Sequence, residues 1–139
     1  MKQNVPVSTI MTKNVIKLNS TDDLTKAEKL FKKNSIRHIP VVNGNKIIGM
    51  LSYTDLLRIS FADSIGDDED IVDVTVYNMF TIEQVMAKRL VSISPETTIK
   101  EAAEILATKE FHALPVTEGY LLVGILTTTD LIKYLINQY

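Results

Sequence analysis

The sequence contains no cysteine among its 139 residues. This absence excludes a disulfide framework, a thiolate zinc site, a cysteine nucleophile and an iron–sulfur cluster. Long hydrophobic runs are also missing, because the longest unbroken one, residues 120–123, is far shorter than a membrane span. The first six residues lack the apolar core of a signal peptide. We therefore expect a soluble, cytoplasmic protein.

Hydrophobic residues make up 45% of the chain and charged residues 23%, which is close to the average of soluble globular domains. Such a composition supports a hydrophobic core and argues against disorder along the whole chain. The length suits either one ordinary domain or two small repeated units.

The charges are unevenly distributed, although the net charge is only −2. Residues 61–81 contain no lysine or arginine but six acidic residues, Asp63, Asp67, Asp68, Glu69, Asp70 and Asp73. The rest of the chain has 15 basic residues against 11 acidic ones and therefore tolerates a small anion. We interpret residues 63–81 as an acidic connector, in which residues 71–77 alternate as in a strand. Whether this connector is ordered, covers a cleft or contacts a partner is left open by the sequence.

An internal repeat dominates the organisation of the sequence. Residues 10–60 align without a gap to residues 85–135, and 11 of these 51 positions are identical, where about three would match by chance. The identical pairs are Met11/Met86, Lys13/Lys88, Ala27/Ala102, Pro40/Pro115, Val41/Val116, Gly44/Gly119, Gly49/Gly124, Leu51/Leu126, Thr54/Thr129, Asp55/Asp130 and Leu56/Leu131. The repeat predicts two copies of one supersecondary unit.

Both copies show the same predicted order of elements. A short β-type run at residues 15–18, repeated at 90–93, precedes an amphipathic helix. Asp23 stands at the N-cap position of the first helix, and Thr98 opens a capping box at its equivalent. Two strands joined by a turn and a closing helix complete each copy, with strands at 39–42, 47–52, 114–117 and 121–127 and helices at about 55–60 and about 130–137.

The predicted fold class is therefore α/β (α+β), with two β-α-β-β-α motifs related by a pseudo-twofold axis. We assign the first motif to residues 1–62 and the second to residues 82–139. One such motif buries too little apolar surface to be stable alone, so the two are expected to form one compact module.

Each copy also carries the same ordered set of short motifs. In the first copy, Ile-Arg-His-Ile-Pro-Val-Val at residues 36–42 precedes Gly-Met-Leu-Ser-Tyr-Thr-Asp-Leu at 49–56. In the second, Phe-His-Ala-Leu-Pro-Val at 111–116 precedes Gly-Ile-Leu-Thr-Thr-Thr-Asp-Leu at 124–131. Both resemble the cystathionine β-synthase (CBS) motif, and the resemblance covers nearly the whole chain except residues 61–81. It implies a stand-alone CBS pair with two clefts. Many such pairs bind adenosine nucleotides in these clefts and regulate another protein.

The motif Gly-x-x-Ser/Thr-x-Thr-Asp lies where a strand turns into a helix, so free backbone N–H groups favour an anion there. Ser52 and Thr127 could donate hydrogen bonds to phosphate. Asp55 and Asp130 could accept both hydroxyls of a ribose. The same residues are also typical of a simple helix cap, and the two interpretations are compatible.

The resemblance implies that each cleft combines the aspartate end of one copy with the first two strands of the other. Adenine would lie there between apolar side chains and read exposed strand backbone. The first predicted cleft consists of Thr12, Ile16, Lys17, Ile36, Arg37, Thr127 and Asp130. The second consists of Ser52, Asp55, Val91, Ser92, Phe111 and His112.

The two predicted clefts differ in charge. Arg37 and Lys17 make the first one more cationic, and the guanidinium fork of Arg37 suits an oxyanion. His112 occupies the equivalent position of the second cleft and is neutral or partly charged. We therefore expect phosphate in the first cleft. The alternative is that Arg37 and Lys17 are only solvated residues at a strand edge, and we interpret His38 as a partly buried structural histidine.

We expect a regulatory protein that binds an adenine nucleotide, such as AMP, ADP or ATP, with NAD and S-adenosylmethionine as further candidates. The alternative is a structural module that dimerises or docks without a ligand. We expect neither a catalytic residue nor a metal site, no required cofactor, no nucleic-acid partner and no membrane insertion. The regulated partner is unknown. Apolar residues on the closing helices predict a homodimer, namely Leu56, Leu57, Leu131, Ile132 and Leu135.

Overall fold

The computed structural model describes residues 4–63, 76–109 and 111–139. The chain forms two compact units, each of which mixes segments of both repeats. The first-motif unit comprises Ile16–Arg89, and the second-motif unit comprises Met1–Val15 together with Leu90–Tyr139. Each unit therefore contains the hairpin of one repeat and the segment that precedes the first strand of the other. We call these the entering segments, residues 4–15 in the second-motif unit and 82–89 in the first-motif unit.

The first-motif unit contains a three-stranded arrangement flanked by helices. Its elements are β1 (Leu18–Asn19), α1 (Leu24–Asn34), β2 (His38–Asn43), β3 (Lys46–Ser52), α2 (Tyr53–Asp63) and α3 (Ile82–Val85). Strands β2 and β3 form an antiparallel hairpin, and β1 runs parallel to β2 with Leu18 opposite Val41. Gly44 supplies the left-handed backbone of the hairpin turn, with a φ of 64°.

The second-motif unit repeats this order. Its elements are a 3-10 helix (Val7–Thr9), α4 (Ile99–Thr108), β4 (Ala113–Glu118), β5 (Leu121–Thr127) and α5 (Thr128–Ile136). Strands β4 and β5 are antiparallel, and Gly119 takes the left-handed position of their turn. The predicted mixed α/β fold with two repeated motifs is confirmed.

The predicted extent of the first strand of each motif is wrong. Only Leu18–Asn19 pairs in the first motif, and in the second a single parallel bridge joins Ile93 to Val116. The register explains why this pairing is short. Two residues before Leu18 or Ile93, the next hydrogen bond of the parallel ladder would need the backbone N–H of Pro40 or Pro115, and proline has none. Residues 15–17 and 90–92 are therefore outside any strand of the structure.

The connector departs from its predicted strand pattern at its end. Residues 76–78 are helical, and the side chains of Val76 and Tyr77 are buried. The acidic stretch at 64–70 and the remaining alternating residues at 71–75 lie outside the described residues.

The entering segments are fixed by the same contacts in both units. Val7 and Ile82, at equivalent positions of the repeat, are completely buried. Thr12 exchanges two backbone hydrogen bonds of 2.9 and 3.0 Å with Ile125. Ala87 exchanges two of 3.0 and 2.9 Å with Met50. The backbone after each entering turn is thus fixed against the last strand of a hairpin.

A methionine lies directly over a glycine at each of these junctions. A Cβ atom added to Gly49 would stand 2.3 Å from Met86 Sδ, and one added to Gly124 would stand 2.7 Å from Met11 Sδ. Both distances are shorter than any van der Waals contact, so only glycine leaves room for the thioether. The identities Met11/Met86 and Gly49/Gly124 in the repeat therefore form one structural contact, made twice.

Each unit has its own hydrophobic core. The core of the first-motif unit consists of Leu18, Leu24, Ala27, Phe31, Ile39, Val41, Leu51, Leu56, Tyr77, Ile82 and Met86. That of the second-motif unit consists of Val7, Ile93, Ala102, Leu106, Leu114, Val116 and Leu126. The predicted exposure of Leu56 is wrong, since its side chain is completely buried in this core, whereas its neighbour Leu57 is 43% exposed. One helical step of about 100° separates the two faces.

Candidate functional site

Asp130 and Thr127 cap helix α5 reciprocally. The Asp130 N–H donates to Thr127 Oγ1 at 3.1 Å, and the Thr127 N–H donates to Asp130 Oδ2 at 3.0 Å. This capping box satisfies two backbone donors at the strand-to-helix turn. The capping interpretation is thus correct for this residue pair, and it occupies only one oxygen of the carboxylate.

The second oxygen of Asp130 faces Thr12. The Thr12 hydroxyl donates a long hydrogen bond of 3.5 Å to Asp130 Oδ1, and Thr12 is held in place by its backbone pairing with Ile125. Thr12 is exposed and Asp130 half-buried, so water or a ligand can reach both groups. The second-motif unit therefore brings together three residues of the first predicted cleft, Thr12, Thr127 and Asp130.

Asp55 and Ser52 form the equivalent cap of helix α2. The Asp55 N–H donates to Ser52 Oγ at 3.0 Å, and the Ser52 N–H donates to Asp55 Oδ2 at 3.3 Å. The remaining oxygen, Oδ1, lies 3.6 Å from Arg58 Nη1. At the register position of Thr12, the first-motif unit has Ala87, which offers no hydroxyl. The two aspartates thus share a cap and differ in what faces their other oxygen.

The other residues of the first predicted cleft lie at one end of the first-motif unit. Ile16 and Lys17 immediately precede β1, and Ile36 and Arg37 precede the parallel strand β2. Lys17 and Arg37 are exposed, while the two isoleucines are half-buried. The Arg37 carbonyl accepts a hydrogen bond of 2.8 Å from the Tyr53 N–H, which ties this end of β2 to the start of α2.

Arg37 also borders an open groove of about 520 Å³ within the first-motif unit. The groove is lined by Phe31, Lys32, Ser35, Ile36, Arg37, Tyr53, Thr54 and Leu57. Arg37 is exposed at this groove, so its guanidinium is accessible to an anion.

The second-motif unit contains the matching residues of the second predicted cleft. Val91 and Ser92 precede Ile93, which bridges to β4, and Phe111 and His112 precede β4 itself. The His112 carbonyl accepts a hydrogen bond of 3.1 Å from the Thr128 N–H, as Arg37 does from Tyr53 in the other unit. Val91 and Phe111 are half-buried, whereas Ser92 and His112 are exposed.

Each predicted cleft thus draws its residues from both units. The first takes Thr12, Thr127 and Asp130 from one unit and Ile16, Lys17, Ile36 and Arg37 from the other. The second takes Ser52 and Asp55 from one unit and Val91, Ser92, Phe111 and His112 from the other. The composition of both clefts stays a prediction, and His38 is half-buried at the start of β2.

Two charged contacts in the first-motif unit were not predicted from the sequence. Arg58 stands three residues after Asp55, a spacing that brings side chains together on a helix and could have indicated the ion pair. The buried Tyr77 hydroxyl donates a short hydrogen bond to Glu28, which also accepts one of 2.9 Å from Lys32 Nζ. Burial alone would raise the pKa of Glu28, but these hydrogen bonds and the Lys32 charge outweigh it and lower the pKa.

Within residues 4–63, 76–109 and 111–139, no three side chains of the His, Asp and Glu types are grouped as metal ligands would be. In the same ranges, no helix has the length and apolar character needed to cross a membrane.

The sequence profile of the CBS domain matches the chain twice, at residues 7–62 and 82–137. The chain belongs to the CBS domain family. Both matched ranges agree with the internal repeat, and each includes one capped aspartate, Asp55 or Asp130. Among curated relatives, protein MJ1225 of Methanocaldococcus jannaschii is 25% identical over 133 residues, which are 95% of this chain but 48% of that protein. The chain therefore spans about half the length of that relative.

Solved structures of CBS proteins have the same fold. AcuB of Vibrio cholerae is 29% identical, with a TM-score of 0.81 over 96% of this chain and 92% of that one. CBSX2, solved in complex with AMP, is 19% identical with a TM-score of 0.79, covering 96% of this chain and 98% of that one. The CBS pair of protein MJ0100, solved with 5-methylthioadenosine and S-adenosyl-L-methionine, is 22% identical with a TM-score of 0.77, covering 97% and 98%.

Proposed function

We propose that this CBS pair is a regulatory module that binds an adenine nucleotide, of the AMP, ADP or ATP class, and signals its presence to a partner protein. The observation that carries the proposal is the cluster of Thr12, Thr127 and Asp130 at the start of helix α5. The cap uses Asp130 Oδ2, so among the described residues Oδ1 is left with only the long 3.5 Å bond from Thr12. A carboxylate oxygen placed in this way accepts the hydroxyls of a ribose.

The ligands of related folds support this chemistry. CBSX2 was solved with AMP, and MJ0100 with 5-methylthioadenosine and S-adenosyl-L-methionine. These three ligands share an adenosine group and therefore a ribose diol, although only AMP carries phosphate. NAD and S-adenosylmethionine remain further candidates for the same cleft, and the diol accounts for all of them.

Arg37 is proposed to select for phosphate. Its guanidinium is exposed, borders an open groove and is permanently charged. The equivalent residue of the other motif is His112, whose imidazole lacks the permanent charge and the donor fork of a guanidinium. Phosphate-bearing ligands should therefore prefer the first predicted cleft, with Lys17 adding to its positive potential.

Calorimetric titration with adenosine, AMP, ADP, ATP, NAD and S-adenosylmethionine tests the proposal. Asp130→Asn should weaken AMP and adenosine alike by about ten- to hundredfold, as expected for losing hydrogen bonds to a charged acceptor. Asp23→Asn is the matched control, because the Asp23 carboxylate also accepts a backbone N–H at a helix start, from Lys26 at 2.8 Å, and has no predicted ligand role. Equal affinity of wild type and Asp130→Asn for every ligand would contradict the site, and absence of any binding would contradict the function.

The phosphate assignment has its own test. Arg37→Ala should weaken AMP about tenfold or more and leave adenosine nearly unchanged, because only AMP loses a charged partner. Arg89→Ala, which removes an exposed arginine from the same unit, serves as the control. If Arg37→Ala weakens adenosine and AMP equally, Arg37 supports the fold or the base and does not hold phosphate.

A homodimer is the proposed assembly, and the proposal includes no catalytic step and no required cofactor. The closing helices expose apolar side chains, with Leu57 43% exposed on α2 and its equivalent Ile132 57% exposed on α5, next to Leu135 at 46%. Covering them with a second copy would remove this surface from water. Sedimentation should show a dimer that Ile132→Asp dissociates. If the wild type dimerises but binds none of the ligands, the module is a structural one instead.

The proposal also places the protein in the cytoplasm, in contact with the cellular pool of adenine nucleotides.

A further inference from the structure

We infer that the chain binds one nucleotide rather than two, because Arg58 and Ala87 disable the Asp55 side while Thr12 keeps the Asp130 side competent. The inference rests on the proposed function and assigns Arg58 and the Thr12/Ala87 pair as the residues that decide between the two predicted clefts. It follows from a difference between two otherwise matching caps.

The caps use the same carboxylate oxygen in both units. Asp130 Oδ2 accepts from the Thr127 N–H at 3.0 Å, and Asp55 Oδ2 accepts from the Ser52 N–H at 3.3 Å. The two aspartates therefore differ in the surroundings of Oδ1, the oxygen that a ribose hydroxyl would reach.

At Asp55, Oδ1 faces a cation on its own helix. Arg58 Nη1 lies 3.6 Å away and partly neutralises the carboxylate, so that a ribose hydroxyl must compete with a charged donor. The Arg58 side chain is 74% exposed, and an exposed pair of this kind stabilises weakly. Arg58 alone therefore accounts for only a few-fold loss of ligand affinity.

At Asp130, the described part of the chain places no corresponding cation beside Oδ1. Lys133 occupies the position equivalent to Arg58, and within the described residues it forms no ion pair with Asp130. Oδ1 instead faces the neutral Thr12 hydroxyl at 3.5 Å, which leaves the negative charge available and adds a second polar group beside it.

The register of the entering segments accounts for the remaining difference. Thr12 pairs with Ile125 and Ala87 with Met50 through equivalent backbone bridges. The position that provides a hydroxyl beside Asp130 therefore provides only a methyl group in the other unit. A ligand beside Asp55 would lack one hydrogen bond and would compete with a cation. Together these effects predict that it binds about ten- to hundredfold more weakly there than beside Asp130.

Titration of the full chain with AMP measures the number of sites directly. At AMP concentrations that just saturate the Asp130 site, we expect one equivalent per chain for the wild type. At the same concentrations, Asp130→Asn should abolish this equivalent and Asp55→Asn should retain it. The variant Ala87→Thr/Arg58→Ala should gain a second equivalent. Ala87→Thr/Lys133→Ala is the matched control and should bind a second equivalent more weakly than Ala87→Thr/Arg58→Ala, because it leaves the Arg58–Asp55 pair intact.

The outcomes of this titration distinguish a failure of the inference from a failure of the proposed function. Two equal sites in the wild type would overturn the inference while supporting the proposed function. One site that survives Asp130→Asn, or no second site in Ala87→Thr/Arg58→Ala, would overturn the assignment of these residues. Absence of AMP binding by the wild type would overturn the proposed function and the inference with it. Arg58, Ala87 and Lys133 are exposed, and circular dichroism with thermal unfolding verifies that all variants are folded.

Discussion

The hydrogen bond between Tyr77 and Glu28 fixes the end of the connector to helix α1, and its removal should destabilise the first-motif unit. Tyr77 is only 4% exposed, so Tyr77→Phe keeps the buried ring and removes the hydroxyl alone. Glu28 then retains Lys32 as a partner but loses its buried donor. The perturbation therefore removes a hydrogen bond between residues separated by 49 positions in sequence.

The magnitude follows from the charge and exposure of the acceptor. Hydrogen bonds to charged groups contribute about 1.5–3 kcal/mol to stability. The Glu28 side chain is 24% exposed, so water replaces part of the lost bond and the lower end of that range, about 1.5 kcal/mol, is expected.

The effect should also depend on pH. The pKa of Glu28 in the folded protein is lowered by its hydrogen bonds and by the Lys32 charge, against the opposing effect of burial. A group whose pKa is lower when folded contributes stability above its unfolded pKa, which is about 4.3 for glutamate, and loses that contribution as the pH falls through the folded value. The difference between wild type and Tyr77→Phe should therefore be largest near pH 7 and shrink below about pH 4.

Urea unfolding at a series of pH values measures the free energy of unfolding of both proteins. Tyr53→Phe is the control: Tyr53 packs edge-on against Phe31 at a ring separation of 5.3 Å, and the described residues offer its hydroxyl no hydrogen bond. That control should change stability by less than about 0.5 kcal/mol. Equal losses in the two variants, or a loss for Tyr77→Phe that is the same at pH 3.5 and pH 7, would refute the reasoning.

Two further predictions concern glycines. Gly49→Ala and Gly124→Ala should each lower the free energy of unfolding by about 1–3 kcal/mol in urea titrations, because the new methyl group meets Met86 or Met11 and forces the thioether aside; unchanged stability would show that the methionine moves freely. Gly119→Ala should cost about 1 kcal/mol through its φ of 62° alone, since no atom lies within 4 Å of the added Cβ, and Gly119→Asn should cost less. Equal losses for alanine and asparagine would exclude this backbone explanation.

Much of the local structure could be predicted because it depends on neighbouring residues. The caps at Asp23 and Thr98 were identifiable from residue type and spacing, and the structure confirms both, with bonds of 2.8 Å from the Lys26 N–H and 3.1 Å from the Glu101 N–H. The hairpin turns are marked by Gly44 and Gly119, which adopt the positive φ that their spacing indicates. Each of these features is decided within about four residues of sequence.

The long-range contacts could not be predicted in the same way. The pairing of Thr12 with Ile125, and that of Ala87 with Met50, joins segments whose local patterns carry no information about their partners. The identity of Met11 with Met86 was visible in the repeat, but nothing in it indicated contact with a glycine far along the chain. The Tyr77–Glu28 hydrogen bond likewise follows no helical or strand period.

Comparison of the two motifs distinguishes the residues that the fold requires from those that would give a ligand different contacts in the two clefts. Pro40/Pro115, Val41/Val116, Gly49/Gly124 and Leu51/Leu126 are identical between the motifs, and all eight residues are buried. In contrast, the pairs Thr12/Ala87, Lys17/Ser92, Arg37/His112 and Arg58/Lys133 differ between the motifs, and all eight residues are exposed. Buried positions tolerate little change in volume, since a single methyl group is felt in a close-packed core. Exposed positions are free of that restraint, so two copies with one backbone can present different charges and hydroxyl groups beside Asp55 and Asp130.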